Sequence, residues 1–71
     1  MSESEPLEIY FNGESRQTDS RTVEALLLEL ELVGKRVAVE LNCEVVSRDR
    51  YRDTALSVGD RVEIVHFVGG G

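Results

Sequence analysis

The sequence predicts an α+β fold in which a single helix covers one face of a mixed β-sheet of roughly four to five strands. Apolar residues alternate with polar ones in short segments towards both ends of the chain, as they do in half-buried strands. Between these segments, one stretch carries apolar residues at helical spacing. The chain has 71 residues, enough for one small domain. The predicted order of elements is therefore β-β-α-β-β-β.

The first two strands are predicted to form a hairpin. In the segment 7–11, LEIYF, the apolar residues at odd positions fall on one face. Asn12-Gly13 follows, and this dipeptide is the strongest short signal for a hairpin turn. The segment 14–18, ESRQT, is more polar, which is typical of a strand at the edge of a sheet.

The helix is predicted from the segment 20–32, SRTVEALLLELEL. Thr22 is suited to the N-cap position, and the helical pattern is predicted to stop at Gly34, with basic residues following as expected past a C-terminus. We interpret the leucine-rich stripe as core. Its residues recur at i, i+3, i+4 and i+7: Val23, Leu26, Leu27 and Leu30.

The remaining strands are predicted in the second half of the chain. The segment 36–41, RVAVEL, alternates, and a turn at Asn42-Cys43 leads into a short return strand at 44–46. A charged connection, 47–60, shows no strong period. Its alternating arginines and aspartates are interpreted as a solvated, self-paired loop, with an arginine paired to an acidic partner surface as the alternative.

The last strand, RVEIVHF, is predicted to run directly into the terminal glycines. Val62 and Ile64 fall on its core side, whereas Val65 and Phe67 fall on the other. A first hairpin, a single helix and a late strand that ends the chain are the ingredients of a β-grasp fold. No internal repeat or second domain is visible. We expect an N-terminal arm without order at 1–6, a β-grasp domain at 7–68 and a flexible glycine tail at 69–71.

Composition narrows the classes of function. Fourteen Asp and Glu against eight Lys and Arg give a net charge of −6, which argues against nucleic acid as a partner. One cysteine and one histidine cannot assemble a structural zinc or iron–sulfur site. No apolar stretch approaches the ~20 residues of a membrane span, and MSESEP is unlike a signal peptide. We expect a cytoplasmic protein that is a monomer on its own. We also expect that it is not an enzyme, because so short a chain cannot enclose a deep cleft.

The terminal glycines have two interpretations. A glycine run is most often a flexible linker or tag remnant. Here, however, it is joined directly to an apolar strand, and three extended residues reach about 10 Å, at roughly 3.3–3.6 Å each. Glycine has no Cβ, so such a tail can enter a narrow channel and offer an unhindered carboxyl group. On this interpretation, a partner enzyme performs chemistry on the protein.

The chain resembles the ThiS family, the sulfur carriers of thiamine biosynthesis, over all but its first six residues. The most specific part is GDRVEIVHFVGGG, at 59–71, where an apolar strand precedes Gly-Gly. FNGE at 11–14 and TVEALLLEL at 22–30 match the position of the family's first hairpin and helix. Two features depart from the family pattern. Cys43 replaces a common glycine, so that Asn42 alone is expected to take up any positive φ, and the stretch 16–20 lacks a glycine.

The resemblance implies a ubiquitin-like carrier without a bound cofactor. A ThiF-like adenylating enzyme would use ATP to activate Gly71, and a persulfide donor would convert it to a thiocarboxylate. A ThiG-like thiazole synthase would then accept the sulfur. Gly70 would be the narrow neck beside the reactive group, and Gly69 an additional tail residue. Three alternatives stay open: a MoaD-type carrier for molybdopterin synthesis, a ubiquitin-like protein modifier, and a purely structural interaction module.

Residues near the tail are candidates for partner docking. Val65, Phe67 and Val68 are predicted to form an exposed apolar patch, since such patches mark partner sites. The alternative is that they cover the far face of the sheet or pack under the charged loop. His66 has no catalytic constellation in the sequence and is expected to be a partly exposed strand residue. Cys43 is interpreted as a small turn residue, with a persulfide acceptor as the alternative.

Overall fold

A computed structural model describes residues 5–67 of the chain. Predictions about residues 1–4 and 68–71 lie outside this range. The predicted order β-β-α-β-β-β is confirmed, with one short 3₁₀ helix added before the last strand. The elements are β1 (Leu7–Phe11), β2 (Glu14–Thr18), α1 (Val23–Glu29), β3 (Val37–Leu41), β4 (Glu44–Val46), the 3₁₀ helix (Arg48–Arg50) and β5 (Arg61–His66).

The sheet places the last strand at its centre. The five strands lie in the order β2-β1-β5-β3-β4, so β2 and β4 form the edges. β5 is parallel to β1, with Tyr10 beside Arg61, and antiparallel to β3, with Val39 opposite Ile64. The sheet is therefore mixed, as predicted. The strand that leads to the terminal glycines is therefore paired on both sides, with β1 and with β3.

The core lies between α1 and one face of the sheet. The predicted core sides of the helix and of β5 are confirmed, except that Leu30 is only half-buried. Leu56 is buried although it comes from the charged connection, where no period indicated it. The buried apolar residues are Ile9, Val23, Leu26, Leu27, Val39, Leu56, Val62 and Ile64.

The helix begins where the sequence predicts and ends earlier. Thr22 is the N-cap, and its hydroxyl oxygen accepts a hydrogen bond from the backbone N–H of Ala25 at 3.1 Å. The prediction that the helical pattern continues to Gly34 is wrong, because α1 ends at Glu29. Glu31 adopts a left-handed conformation with φ 62°, and the N–H of the next residue, Leu32, donates to the carbonyl oxygen of Leu27 at 2.8 Å. This hydrogen bond is that of a Schellman motif, which stops a helix.

Both hairpin turns use left-handed backbone. Asn12 and Gly13 have φ of 49° and 87°, as the Asn-Gly signal predicts for a type I′ turn. Asn42 and Cys43 have φ of 52° and 73°. The expectation that Asn42 alone takes up positive φ is therefore wrong. The turn between β3 and β4 needs two left-handed residues, and Cys43 occupies the second position without the freedom of glycine.

The charged connection is more ordered than its sequence indicates. Its backbone packs against the start of α1, where the carbonyl oxygen of Tyr51 accepts from the N–H of Glu24 at 3.0 Å. The prediction of a self-paired loop is wrong. Within the described part of the chain, its one ion pair joins Arg52 to Glu24 of the helix at 3.7 Å, and Asp49 accepts instead from the hydroxyl of Ser47.

Candidate functional site

The end of β5 fixes the point from which the tail begins. The backbone N–H of Phe67 donates to the carbonyl oxygen of Arg36 at 3.0 Å, one residue beyond the pairing of His66 with Val37. Phe67 is the last residue that the structure describes. The hydrogen bonds of the β3–β5 ladder therefore continue to the last described residue, and the sequence VGGG follows directly.

Two asparagine side chains hold β5 from opposite sides. The Oδ1 atom of Asn12 accepts from the N–H of Ile64 at 2.9 Å, and its amide group donates to the carbonyl oxygen of Ile64 at 3.4 Å. On the other side, Oδ1 of Asn42 accepts from the N–H of Arg61 at 2.9 Å, and Nδ2 donates to Asp60 at 3.1 Å. These residues position the strand that carries the tail. The sequence indicated them only as turn formers.

The outer face of the sheet carries exposed apolar side chains at the end of β5 that precedes the tail in sequence. Val65 and Phe67 are 57% and 61% exposed. Val65 lies opposite the half-buried Ala38 of β3, on the face that α1 does not cover. The predicted orientation away from the core is confirmed. Their docking role stays a prediction, and the third predicted docking residue, Val68, lies outside the described residues.

The histidine and the cysteine do not come together. His66 is an exposed strand residue, as expected, and forms no side-chain hydrogen bond or ion pair within residues 5–67. Cys43 has an exposed free thiol in the turn after β3. Phe67 is bonded to Arg36, before the start of β3, so the length of the strand, about 20 Å, separates Phe67 from that turn. The arrangement favours the interpretation of Cys43 as a turn residue.

A polar cluster joins β2 to α1, and no pattern in the sequence indicated it. The carboxylate of Glu29 accepts hydrogen bonds from the hydroxyls of Thr18 and Ser20 and from the guanidinium of Arg16, the last at 3.0 Å. Thr18 is the main cause that holds the pKa of Glu29 below its ordinary value of 4.5. Ser20 and Arg16 lower the pKa further, whereas partial burial opposes them. The cluster fastens the edge strand to the helix, away from the tail.

Residues that could bind a metal do not cluster in the described range. Within residues 5–67, no group of three or more His, Cys, Asp or Glu side chains is arranged to hold a metal ion. In the same range, no helix is long and apolar enough to cross a membrane. The glycines proposed from the sequence as the reactive end, Gly69, Gly70 and Gly71, lie outside the described residues.

Known proteins share this fold and parts of this sequence. The crystal structure of a thiamine biosynthesis protein (ThiS) from Geobacter metallireducens superposes with a TM-score of 0.78 at 35% identity, and the match covers 92% of this chain and 100% of that one. This similarity confirms the predicted β-grasp fold. Among curated proteins, the sulfur carrier protein ThiS of Bacillus subtilis is 45% identical over 53 residues, which are 75% of this chain and 80% of that protein.

Longer proteins also contain a similar segment. A thiazole synthase of Paramagnetospirillum magneticum is 47% identical over 66 residues, and one of Magnetococcus marinus is 42% identical over the same length. The match covers 92% of this chain but only 20% of either synthase. The model of the ThiS family matches residues 9–71. The chain therefore belongs to the ThiS family.

Proposed function

We propose that this chain is a sulfur carrier for thiamine biosynthesis and that the carboxyl group of Gly71 carries the sulfur. The observation that supports it most is the position of Phe67, the residue that precedes the tail. The hydrogen bond from Phe67 to Arg36 holds Phe67 at one end of the central strand, and the last four residues follow it in sequence. Four extended residues reach at most about 14 Å, which is enough to enter a partner's active site while the domain stays outside.

The chemistry begins with activation of the carboxylate. One oxygen of the Gly71 carboxylate attacks the α-phosphorus of ATP in an adenylating enzyme, and pyrophosphate leaves. The terminal sulfur of a persulfide then attacks the acyl carbon, and AMP leaves. A thiol takes the donor's remaining sulfur into a disulfide and releases the thiocarboxylate. Glycine suits this sequence because no side chain shields the acyl carbon from either partner.

Thiazole synthase is the proposed acceptor of the sulfur. The support comes from the two longer relatives, since each carries a segment similar to this chain within a protein named for that activity. A carrier and its acceptor that occur in one polypeptide work at high effective concentration. The same pairing between separate proteins would require a docking surface beside the tail.

The outer face of the sheet supplies that surface in this proposal. Val65 and Phe67 together present apolar area at the end of β5 that leads into the last four residues, and Val68 follows in sequence. We call this end of β5 the root of the tail. Apolar and aromatic side chains of this kind form the centres of protein interfaces. A partner that covers them would align the tail with its own active site before any chemistry begins.

Intact mass spectrometry tests the proposal. The 71-residue chain is incubated with a ThiF-like enzyme, ATP and a persulfide donor, and the expected product differs by the replacement of one oxygen with sulfur at Gly71. Deletion of Gly70 and Gly71 removes the reactive group without touching the core, so this variant should remain folded and unmodified. An unmodified wild-type chain would contradict the proposal. Binding to thiazole synthase, compared with the large subunit of molybdopterin synthase, identifies the pathway.

A further inference from the structure

A small cleft lies on the helix side of the sheet, near the root of the tail. Its volume is about 210 Å³, and it is lined by residues of α1, of the loop that follows α1, of the start of β3 and of the segment 48–51. Ligand pockets usually measure about 300–1,000 Å³, so this cleft suits a protein side chain better than a cofactor. Much of its lining is apolar: Leu27, Leu32, Val33, Val37 and Tyr51.

The rim of the cleft is cationic in a chain that is otherwise acidic. Lys35 and Arg48 both line it, and within residues 5–67 neither side chain takes part in an ion pair or a hydrogen bond. The acidic lining residue, Glu24, already lies 3.7 Å from Arg52. Because the whole chain has a net charge of −6, this local excess of positive charge is not a general property of its surface.

The cleft lies close to Phe67, the residue that precedes the tail. Lys35 and Val37 line it, and the residue between them, Arg36, accepts the hydrogen bond from Phe67 through its carbonyl oxygen. One short stretch of backbone therefore separates the cleft on the helix side from the apolar patch on the outer face. A partner that surrounds the tail would contact both surfaces.

We propose that this cleft is a second docking site, which receives an apolar side chain flanked by a carboxylate from thiazole synthase. The apolar lining accommodates the side chain, and Lys35 and Arg48 pair with the carboxylate. Together with Val65 and Phe67, the cleft lets the enzyme hold the root of the tail from both faces. The inference rests on the proposed function, because it assigns a contact to the acceptor enzyme named there.

Charge reversal tests the cationic rim. Arg48→Glu and Lys35→Glu are compared with Arg50→Glu, which makes the same change of charge as Arg48→Glu on the same 3₁₀ helix but outside the cleft. The dissociation constant for thiazole synthase is measured by titration calorimetry. Each rim variant is expected to bind about two- to fivefold more weakly than Arg50→Glu at low salt, a difference that salt screens. Equal affinities of the rim variants and Arg50→Glu would overturn the proposal.

The apolar part of the cleft needs its own variant. Val33→Ser removes apolar surface from the lining of the cleft. Val58→Ser is its control, because Val33 and Val58 are similarly exposed, at 59% and 70%, and only Val33 lines the cleft. We expect Val33→Ser to weaken binding at least about threefold relative to Val58→Ser. Thermal unfolding confirms that both remain folded, because substitutions at exposed positions cost little stability.

The wild-type chain separates failure of this inference from failure of the proposed function. If the wild type forms the thiocarboxylate and binds thiazole synthase, but the cleft variants bind like their controls, only the cleft is refuted. If the wild type neither acquires sulfur nor binds the enzyme, the proposed function is refuted and the docking site with it.

Discussion

The side-chain oxygen of Asn12 accepts a hydrogen bond from the backbone N–H of Ile64 at 2.9 Å and so continues the sheet beyond the end of β1. The paired register of β1 with β5 covers only Tyr10 and Phe11, after which the chain turns away. The asparagine side chain occupies the place of the next strand residue. It satisfies a backbone group of a residue that is only 7% exposed.

Replacement of Asn12 by glycine should destabilise the domain although glycine suits the turn. Gly accepts the φ of 49°, so the turn is kept while both side-chain hydrogen bonds to Ile64 are lost. Asparagine already tolerates the left-handed region, so relief of strain is smaller here than at Cys43. The N–H of Ile64 would lose its partner, which costs about 1–3 kcal/mol. Urea denaturation measures the free energy of unfolding. Asn12→Asp is the control, because it keeps the accepting oxygen, and equal losses for both variants would refute this account.

Replacement of Cys43 by glycine should stabilise the domain. A non-glycine residue in the left-handed region costs roughly 1–2 kcal/mol, part of which is offset by the larger entropy of glycine in the unfolded chain. Because Cys43 has φ 73° and an exposed side chain, we expect a net gain of about 1 kcal/mol. Thermal unfolding measures it. Asn42→Gly is the control: Asn42 has φ 52°, and its replacement should destabilise the domain through loss of its hydrogen bond to β5. A Cys43→Gly variant no more stable than wild type would show that the left-handed backbone at Cys43 is not strained.

Acid should weaken the link between β2 and α1. The folded state holds the pKa of Glu29 below 4.5, so its contribution to stability is complete above that pH and is lost as the pH falls through the lower folded-state pKa. Glu29→Gln removes this contribution and should flatten the decrease of stability as the pH falls below about 4.5. Thr18→Val, which removes the main cause of the lowered pKa, should act in the same direction. Parallel pH profiles for wild type and Glu29→Gln would contradict this assignment.

Truncation of Phe67 should weaken binding to thiazole synthase without loss of stability. The side chain is 61% exposed, so Phe67→Ala should change the free energy of unfolding by no more than about 0.5 kcal/mol. If it anchors the interface, the dissociation constant should rise about tenfold or more. Leu28→Ala is a matched control, since Leu28 is 65% exposed on the helix. Similar affinities for the two variants would argue against docking through the outer face.

The sequence predicts those parts of the fold that depend on local patterns. The alternation in β5 placed Val62 and Ile64 in the core and left Val65 and Phe67 outside, because strand period alone decides the face. The end of α1 could not be read in this way. A glycine normally occupies the left-handed position after a helix, but here Glu31 does. The sequence therefore predicted the end of the helix too late, at Gly34.

The features that the sequence did not predict depend on contacts between distant segments. The sequence identifies Asn12 and Asn42 as turn residues, but it does not show what their side chains bind. Only the tertiary structure brings these side chains to β5. The cleft near the tail is formed by Leu27, Lys35 and Arg48, which no spacing in the sequence connects. The role of the tail was predicted from its glycines and from the resemblance to a family. The comparisons confirm the family, and the role of the tail stays a prediction.

The most direct test of the central claim follows sulfur from Gly71 to the thiazole ring. The chain is prepared with isotopically labelled sulfur in its thiocarboxylate and mixed with thiazole synthase and the other substrates of that enzyme. The label is expected to enter the thiazole product while an equal amount of the chain returns to the intact mass of the carboxylate form. Turnover that forms unlabelled thiazole while the chain keeps its sulfur would contradict the claim.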